Sequence, residues 1–165
     1  MGASARLYLA MRDAELEQCF PKLQTSNYKV TSPEDPRYNC VAFGVGCTTL
    51  FFQFYPYPSK MHYWPPQISR DDTVESWEEV FKLHGYILCD TGDLEPEFEK
   101  IAIYAKVDGE PSHVARQLGS GWWQSKLGFG QDIEHEKPES LEGYEMHEYG
   151  KIASFMRRAR PQESV

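Results

Sequence analysis

Hydrophobic side chains recur at helical spacing in two stretches of the chain. Within Asp13–Leu23 they stand at i, i+3, i+4 and i+7, and Asp13 is suited to be the N-cap. A second helical pattern opens at Asp72, runs to His84 and is closed by Gly85 as a C-cap. We therefore predict two amphipathic helices, each with one buried face.

A third helix is predicted to begin at Cys40, after an irregular loop over Thr25–Arg37 that is rich in Ser, Asn and Pro. The run Val41–Phe52 is almost wholly apolar, which is consistent with a helix buried on most faces. The aromatic and proline-rich stretch Phe51–Pro66 cannot hold regular structure for long. We expect it to be a packed loop.

The second half of the chain favours strands. Tyr86–Cys89 is predicted as a short strand, and Glu99–Val107 as a longer one. His113–Leu118 and Trp122–Leu127 flank a Gly-Ser-Gly turn, so they form a predicted β-hairpin, and with Glu99–Val107 a three-stranded meander. Lys151–Met156 is predicted to return as a last edge strand.

Helices that precede antiparallel strands indicate an α+β fold, with N-terminal helices packed on a small antiparallel sheet. The acidic segment 129–148 is expected to be irregular. With no internal repeat and no linker, residues 1–165 are predicted to form a single domain, in which the tails 1–12 and 157–165 are frayed.

Composition narrows the classes of function. There are 17 Lys and Arg against 25 Asp and Glu, a net charge of −8, which repels nucleic acid. No apolar run reaches the ~20 residues that span a bilayer, so we expect no membrane partner. Four cysteines without a C-x-x-C pair, and no signal-peptide pattern, favour a reducing, cytoplasmic location. No spacing of His and Cys indicates a metal site, and no cofactor is predicted.

The sequence offers one candidate for nucleophilic chemistry. Cys40 stands at a predicted helix start, where the helix dipole lowers the pKa of a thiol. His113, which opens a predicted strand, is suited to be its base. The opposite strand of the hairpin places either Gln124 or Ser125 close to His113 as the residue that orients the imidazole.

These residues carry a resemblance to a known family. Ile101–Ala105 and Ser112–Ser125 resemble the core of the NlpC-type papain-like cysteine peptidases, in which a polar catalytic residue follows the catalytic histidine by twelve positions. Ser125 matches that spacing, and Asn39-Cys40 resembles the helix start that carries the family's nucleophile. The Tyr-Asn-Cys and His-Val-Ala-Arg-Gln motifs are also similar to those of a family of uncharacterised microbial and fungal proteins.

The resemblance implies a papain-like core with Cys40 as nucleophile, His113 as base and Ser125 as orienter. The family usually has His, Asn or Gln at the third position, and Ser125 brings no charge to stabilise an imidazolium. His135, in an Ile-Glu-His sequence, is the rival for this third role.

Three further residues are assigned to substrate binding. Asn39 could supply an oxyanion donor beside the backbone N–H of Cys40. Trp64 is either a substrate platform or part of the core. Arg116 either binds a substrate carboxylate or lies on a solvated face.

Two hypotheses about function follow. The first is a cysteine hydrolase that cleaves an amide or peptide bond through a thioester. The second is a catalytically inactive papain-like domain that recognises a protein or peptide partner.

Overall fold

Seven antiparallel strands form the main sheet in the part of the chain that the computed structural model describes, residues 14–35, 37–53, 62–127, 130–145 and 147–161. The strands are β1 (Tyr28–Val30), β2 (Phe51–Phe52), β3 (His62–Tyr63), β4 (Ile87–Cys89), β5 (Phe98–Ala105), β6 (Pro111–Gln117), β7 (Trp123–Lys126), β8 (Asp132–His135) and β9 (Lys151–Ala159). Their order in this sheet is β1-β8-β7-β6-β5-β9-β4, while β2 and β3 form a separate parallel pair. The predicted α+β class and the β5-β6-β7 meander are confirmed.

Three α-helices occur in the described residues: α1 (residues 14–19), α2 (Cys40–Val45) and α3 (Val74–Leu83), with 3-10 turns at Pro21–Thr25 and Pro138–Leu141. α3 confirms one periodic pattern. α1 confirms only the first part of the other, because it ends before Pro21 and a 3-10 turn follows, and Asp13 lies outside the described residues. The Thr73 side chain caps α3 by accepting a hydrogen bond from the backbone N–H of Ser76, and Gly85 follows the helix with a positive φ of 87°. No helix in the described ranges is long and apolar enough to cross a membrane.

The helix predicted over Val41–Phe52 is wrong beyond Val45. Gly46 adopts a left-handed conformation (φ 89°), and its N–H donates to the carbonyl of Phe43, which ends the helix. Phe51–Phe52 instead pair with β3. Residues 54–61 of the predicted loop lie outside the described part of the chain.

Two segments predicted to be irregular contain strands. β1 lies within Thr25–Arg37, and β8 lies within 129–148. β8 is paired on both edges, by β1 and by β7, so its polar sequence is held by ladder hydrogen bonds and not by apolar alternation.

The position of the last strand was also predicted wrongly. β9 is not an edge strand, because it lies between β5 and β4, and it continues to Ala159. Arg157 and Arg158, which were assigned to a frayed tail, form ion pairs with Glu95 (2.7 Å) and Glu99 (2.9 Å). Residues 1–12 and 162–165 lie outside the described residues.

The sheet is buried on both faces. Alternate residues of its central strands divide between two hydrophobic clusters. Ile103 and Val114 face α2 and α3, whereas Tyr104 and Ala115 face α1 and the two 3-10 turns. α2 packs closely against α3 because Gly44 lies at the contact between the two helices. A Cβ at this position would lie 3.0 Å from ring atoms of Phe81.

Candidate functional site

Cys40 is the first residue of α2, as predicted, and Asn39 is the N-cap. The Asn39 Oδ1 accepts hydrogen bonds from the backbone N–H groups of Ala42 and Phe52, both at 3.1 Å. Its Nδ2 donates to the carbonyl of Phe52 at 2.6 Å. Asn39 therefore fixes the start of the helix against β2, and one of its two side-chain N–H groups is committed to that task.

A cavity of about 250 Å³, here called the Cys40 cavity, opens beside the start of α2. Its lining combines aromatic walls with polar groups and comprises Asn39, Cys40, Phe51, Phe52, Gln53, Trp64, Asp72, Trp77, Glu110, Pro111 and Ser112. The Trp64 indole donates to the carbonyl of Ser69, so the ring has a fixed position in the wall. Burial, together with the neighbouring Glu110, raises the pKa of Asp72.

The Cys40 side chain is protonated at neutral pH. Cys40 is 8% exposed, and burial raises the pKa of its thiol to about 11. Hydrogen bonds from the backbone N–H groups of Val114, Val41 and Cys40 lower the pKa of this thiol, but their effect is smaller than that of burial. A helix start alone therefore does not supply a thiolate here.

Successive side chains of a strand point to opposite faces of the sheet, so the His113 imidazole lies on the face of β6 opposite to Val114. It shares that face with Tyr104, its partner on the neighbouring strand β5. The ring stacks on Tyr149, with centroids 4.1 Å apart and planes 7° from parallel. Its Nε2 is buried and has no hydrogen-bond partner among the described residues. Burial, assisted by His135, holds the pKa of His113 well below its usual value. His113 is a neutral ring held by aromatic packing.

Ser125 is not bonded to His113. In the ladder it pairs with Ala115, and its Oγ lies 2.8 Å from the Nε2 of His135. The Nδ1 of His135 faces the carbonyl of Lys137 at 2.8 Å, and a carbonyl can only accept. The Nδ1 of His135 therefore carries the proton, and Ser125 donates its hydroxyl proton to Nε2. Burial lowers the pKa of His135 to about 4.

Arg116 lies away from the Cys40 cavity. Its guanidinium covers the ring of Phe43 at 5.0 Å from the centroid and donates to the side chain of Gln124 at 3.2 Å. Within the described residues, no three His, Cys, Asp or Glu side chains converge as metal ligands.

A family model described as "Domain of unknown function (DUF7689)" matches residues 29–157, which is well over half of the chain. The chain belongs to this family. No curated protein and no solved structure matches it. The region shared with the DUF7689 family contains the Cys40 cavity, His113, Ser125 and His135.

The geometry in this DUF7689 domain thus brings together three of the predicted site residues, Asn39, Cys40 and Trp64, around one cavity. His113, Ser125 and Arg116 are not among the residues that line it. Sequence reasoning missed Tyr149, which stacks on His113, because a tyrosine between the acidic segment and the last strand carries no pattern of its own. His135 was singled out by its Ile-Glu-His sequence, but as a rival of Ser125 and not as its partner.

Proposed function

We propose that this domain has a papain-like core of the NlpC type and binds a peptide or protein segment at the Cys40 cavity without hydrolysing it. Two observations support the core: the helix that begins at Cys40 precedes the antiparallel meander β5-β6-β7 in the chain, and His113 and Ser125 lie on the second and third strands of that meander. This order is the one that the resemblance implies.

The separation of Cys40, His113 and Ser125 is the observation that carries the proposal. Burial, which raises the pKa of the Cys40 thiol to about 11, acts in the same direction. The base that would accept its proton, His113, is stacked on Tyr149, and Ser125 is bonded elsewhere. A nucleophile, a base and an orienter joined by hydrogen bonds are needed for acyl transfer, and this chain of bonds is absent among the described residues.

The cavity itself suits the capture of one side chain. Its volume is below the ~300–1,000 Å³ that is usual for drug-sized ligands. Trp64 and Trp77 provide apolar walls, and the carboxyl groups of Asp72 and Glu110 stand at the edge as hydrogen-bond acceptors. A peptide could place an apolar side chain between the indoles and donate its backbone N–H groups to the carboxyl pair.

A cysteine hydrolase is the second candidate, and one observation favours it. The buried Nε2 of His113 lacks a partner among the described residues, and such groups are concentrated at functional sites. Because His113 lies on the face of β6 opposite to Val114, which packs against α2, its side chain would have to move to the α2 side of the sheet before this nitrogen could accept the proton of Cys40. The sulfur would then attack an amide carbonyl, the amine would leave with the proton from His113, and water would hydrolyse the thioester.

Alkylation of the four cysteines by iodoacetamide between about pH 5 and 10 separates the two candidates, since the thiolate is the reactive form. Cys47 is an internal reference. Although partial burial opposes it, hydrogen bonds from Thr49 lower the pKa of Cys47. Peptide mass spectrometry reports each rate. We expect Cys40 to react more slowly than Cys47 at every pH, and to keep that rate in His113→Ala.

The control is His147→Ala, which removes an exposed histidine. The binding proposal is refuted, and the hydrolase is supported, if Cys40 reacts fastest with an apparent pKa below the ~8.5 of a free thiol and loses this advantage in His113→Ala but not in His147→Ala.

A further inference from the structure

A second cavity, of about 460 Å³, lies between the loop that follows β4 and the segment that follows β8. We call it the Gln117 cavity, and it shares no lining residue with the Cys40 cavity. Two aromatic rings of its wall, Trp123 and Phe155, have centroids 6.2 Å apart. Gly92 lets the loop pack directly on these rings, because a Cβ there would be 2.8 Å from Phe155. The cavity is therefore formed by packed elements.

Gln117 lines this cavity and is 2% exposed. Its Nε2 donates to the carbonyl of Gly92 at 2.7 Å. Because a carbonyl cannot donate, this bond fixes which end of the amide is the oxygen. The remaining atom, Oε1, is a buried acceptor with no partner among the described residues. Such an atom is suited to a bound group that donates a hydrogen bond.

The rim of the cavity carries negative charge. Asp90, Asp93, Glu136 and Glu139 line it, against one cation, Lys137. Glu136 accepts a hydrogen bond from Asn27 at 2.7 Å, and within the described ranges no ion pair joins Asp90, Asp93 or Glu139 to a basic side chain. The site thus favours a donor that is also positively charged.

We propose that the Gln117 cavity binds an alkylammonium group. One N–H donates to the Oε1 of Gln117, the charge faces the carboxylates, and the methylene stem lies along Trp123 and Phe155. A compact ammonium satisfies a single buried acceptor, whereas the planar fork of a guanidinium matches a pair of oxygens. A lysine side chain and a free diamine both present this chemistry.

Titration followed by ¹H–¹⁵N NMR tests the proposal with n-pentylamine as the probe and pentan-1-ol as its uncharged counterpart. The reporters are the side-chain amide of Gln117 and the backbone amide of Gly92. We expect saturable shifts with the amine and none with the alcohol. Gln117→Leu removes the acceptor and should weaken binding about tenfold, in keeping with a hydrogen bond to a charged group.

Gln117→Leu also removes the hydrogen bond that holds the loop at Gly92. Glu139→Gln therefore provides an independent variant, because Glu139 is exposed. It should weaken binding severalfold, while Glu97→Gln, which removes an exposed carboxylate outside the cavity, should not. Equal shifts with pentan-1-ol, equal affinity in Glu139→Gln and Glu97→Gln, or no saturable shift with the amine would each overturn the proposal. Comparison of 1,5-diaminopentane with a lysine residue blocked at both ends then identifies the source by the tighter binder.

Discussion

Replacement of Asn39 by alanine should destabilise the domain more than the loss of an ordinary surface side chain. Asn39 joins α2 to β2 with three hydrogen bonds, one to Ala42 and two to Phe52. Alanine removes all three and leaves the N–H and the carbonyl of Phe52 without these partners. Because Phe52 is buried, water cannot readily replace them.

The magnitude follows from the bonds. Loss of an N-cap costs about 1 kcal/mol, and each bond to Phe52 adds about 1 kcal/mol, so Asn39→Ala should lower the free energy of unfolding by about 3 kcal/mol. For a domain of this size the melting temperature should fall by about 6–12 °C. Asn39→Asp keeps the acceptor for Ala42 and Phe52 but turns a carboxylate oxygen towards the carbonyl of Phe52 in place of the donor, so its cost should exceed about 1 kcal/mol and stay below that of Asn39→Ala.

Urea unfolding followed by circular dichroism measures both variants, and an unchanged m-value would indicate that the native and unfolded states keep their compactness. If Asn39→Ala stays within about 0.5 kcal/mol of the unmodified chain, the helix start is not held by these bonds. If Asn39→Asp costs as much as Asn39→Ala, the capping role is refuted, and the bond from Nδ2 carries the effect.

Two other predictions concern packing and pH. Gly44→Ala places a Cβ 3.0 Å from atoms of Phe81 and Val114, so calorimetry should show that the free energy of unfolding falls by about 1–3 kcal/mol. Gly119→Ala is the control, because the nearest neighbour of its Cβ lies at 3.9 Å, and it should be nearly neutral. Equal effects of the two substitutions would contradict this prediction. The pKa of His135 is lowered to about 4 in the folded protein, so the unfolded chain binds a proton first as the pH falls. Relative to His135→Gln, stability should be retained above about pH 6.5 and fall by about 3 kcal/mol towards pH 4; parallel pH curves would show that His135 titrates normally.

The elements that could be predicted from the sequence are those whose stability is local. α3 has an amphipathic stripe, the Thr73 cap and Gly85, and the β6-β7 hairpin has a tight turn, so both are encoded by near neighbours. β8 and β9 depend on distant partners. The acidic sequence Asp132–His135 becomes a strand because β1 and β7 pair with it, which no local pattern indicates.

The candidate site also combines features that follow from local sequence with features that depend on distant residues. The helix start at Cys40 is a consequence of local sequence, and the prediction placed it correctly, whereas Asn39, predicted as an oxyanion donor, is the N-cap of that helix. The partners of His113 and Ser125 depend on register and on segments far along the chain. Spacing alone therefore could not show that His113 meets Tyr149, or that Ser125 meets His135.

The placement of β9 between β4 and β5 also determines when this sheet can be completed during synthesis. Among the described strands, β4 has no neighbour in the sheet except β9, so a ribosome must translate as far as Arg157 before β4 can be paired along its full length. Until then the growing chain presents open edges on β4 and β5, which are suitable templates for intermolecular pairing. We expect the nascent chain to depend on chaperones for this interval, and to reach its native topology after β9 has left the exit tunnel.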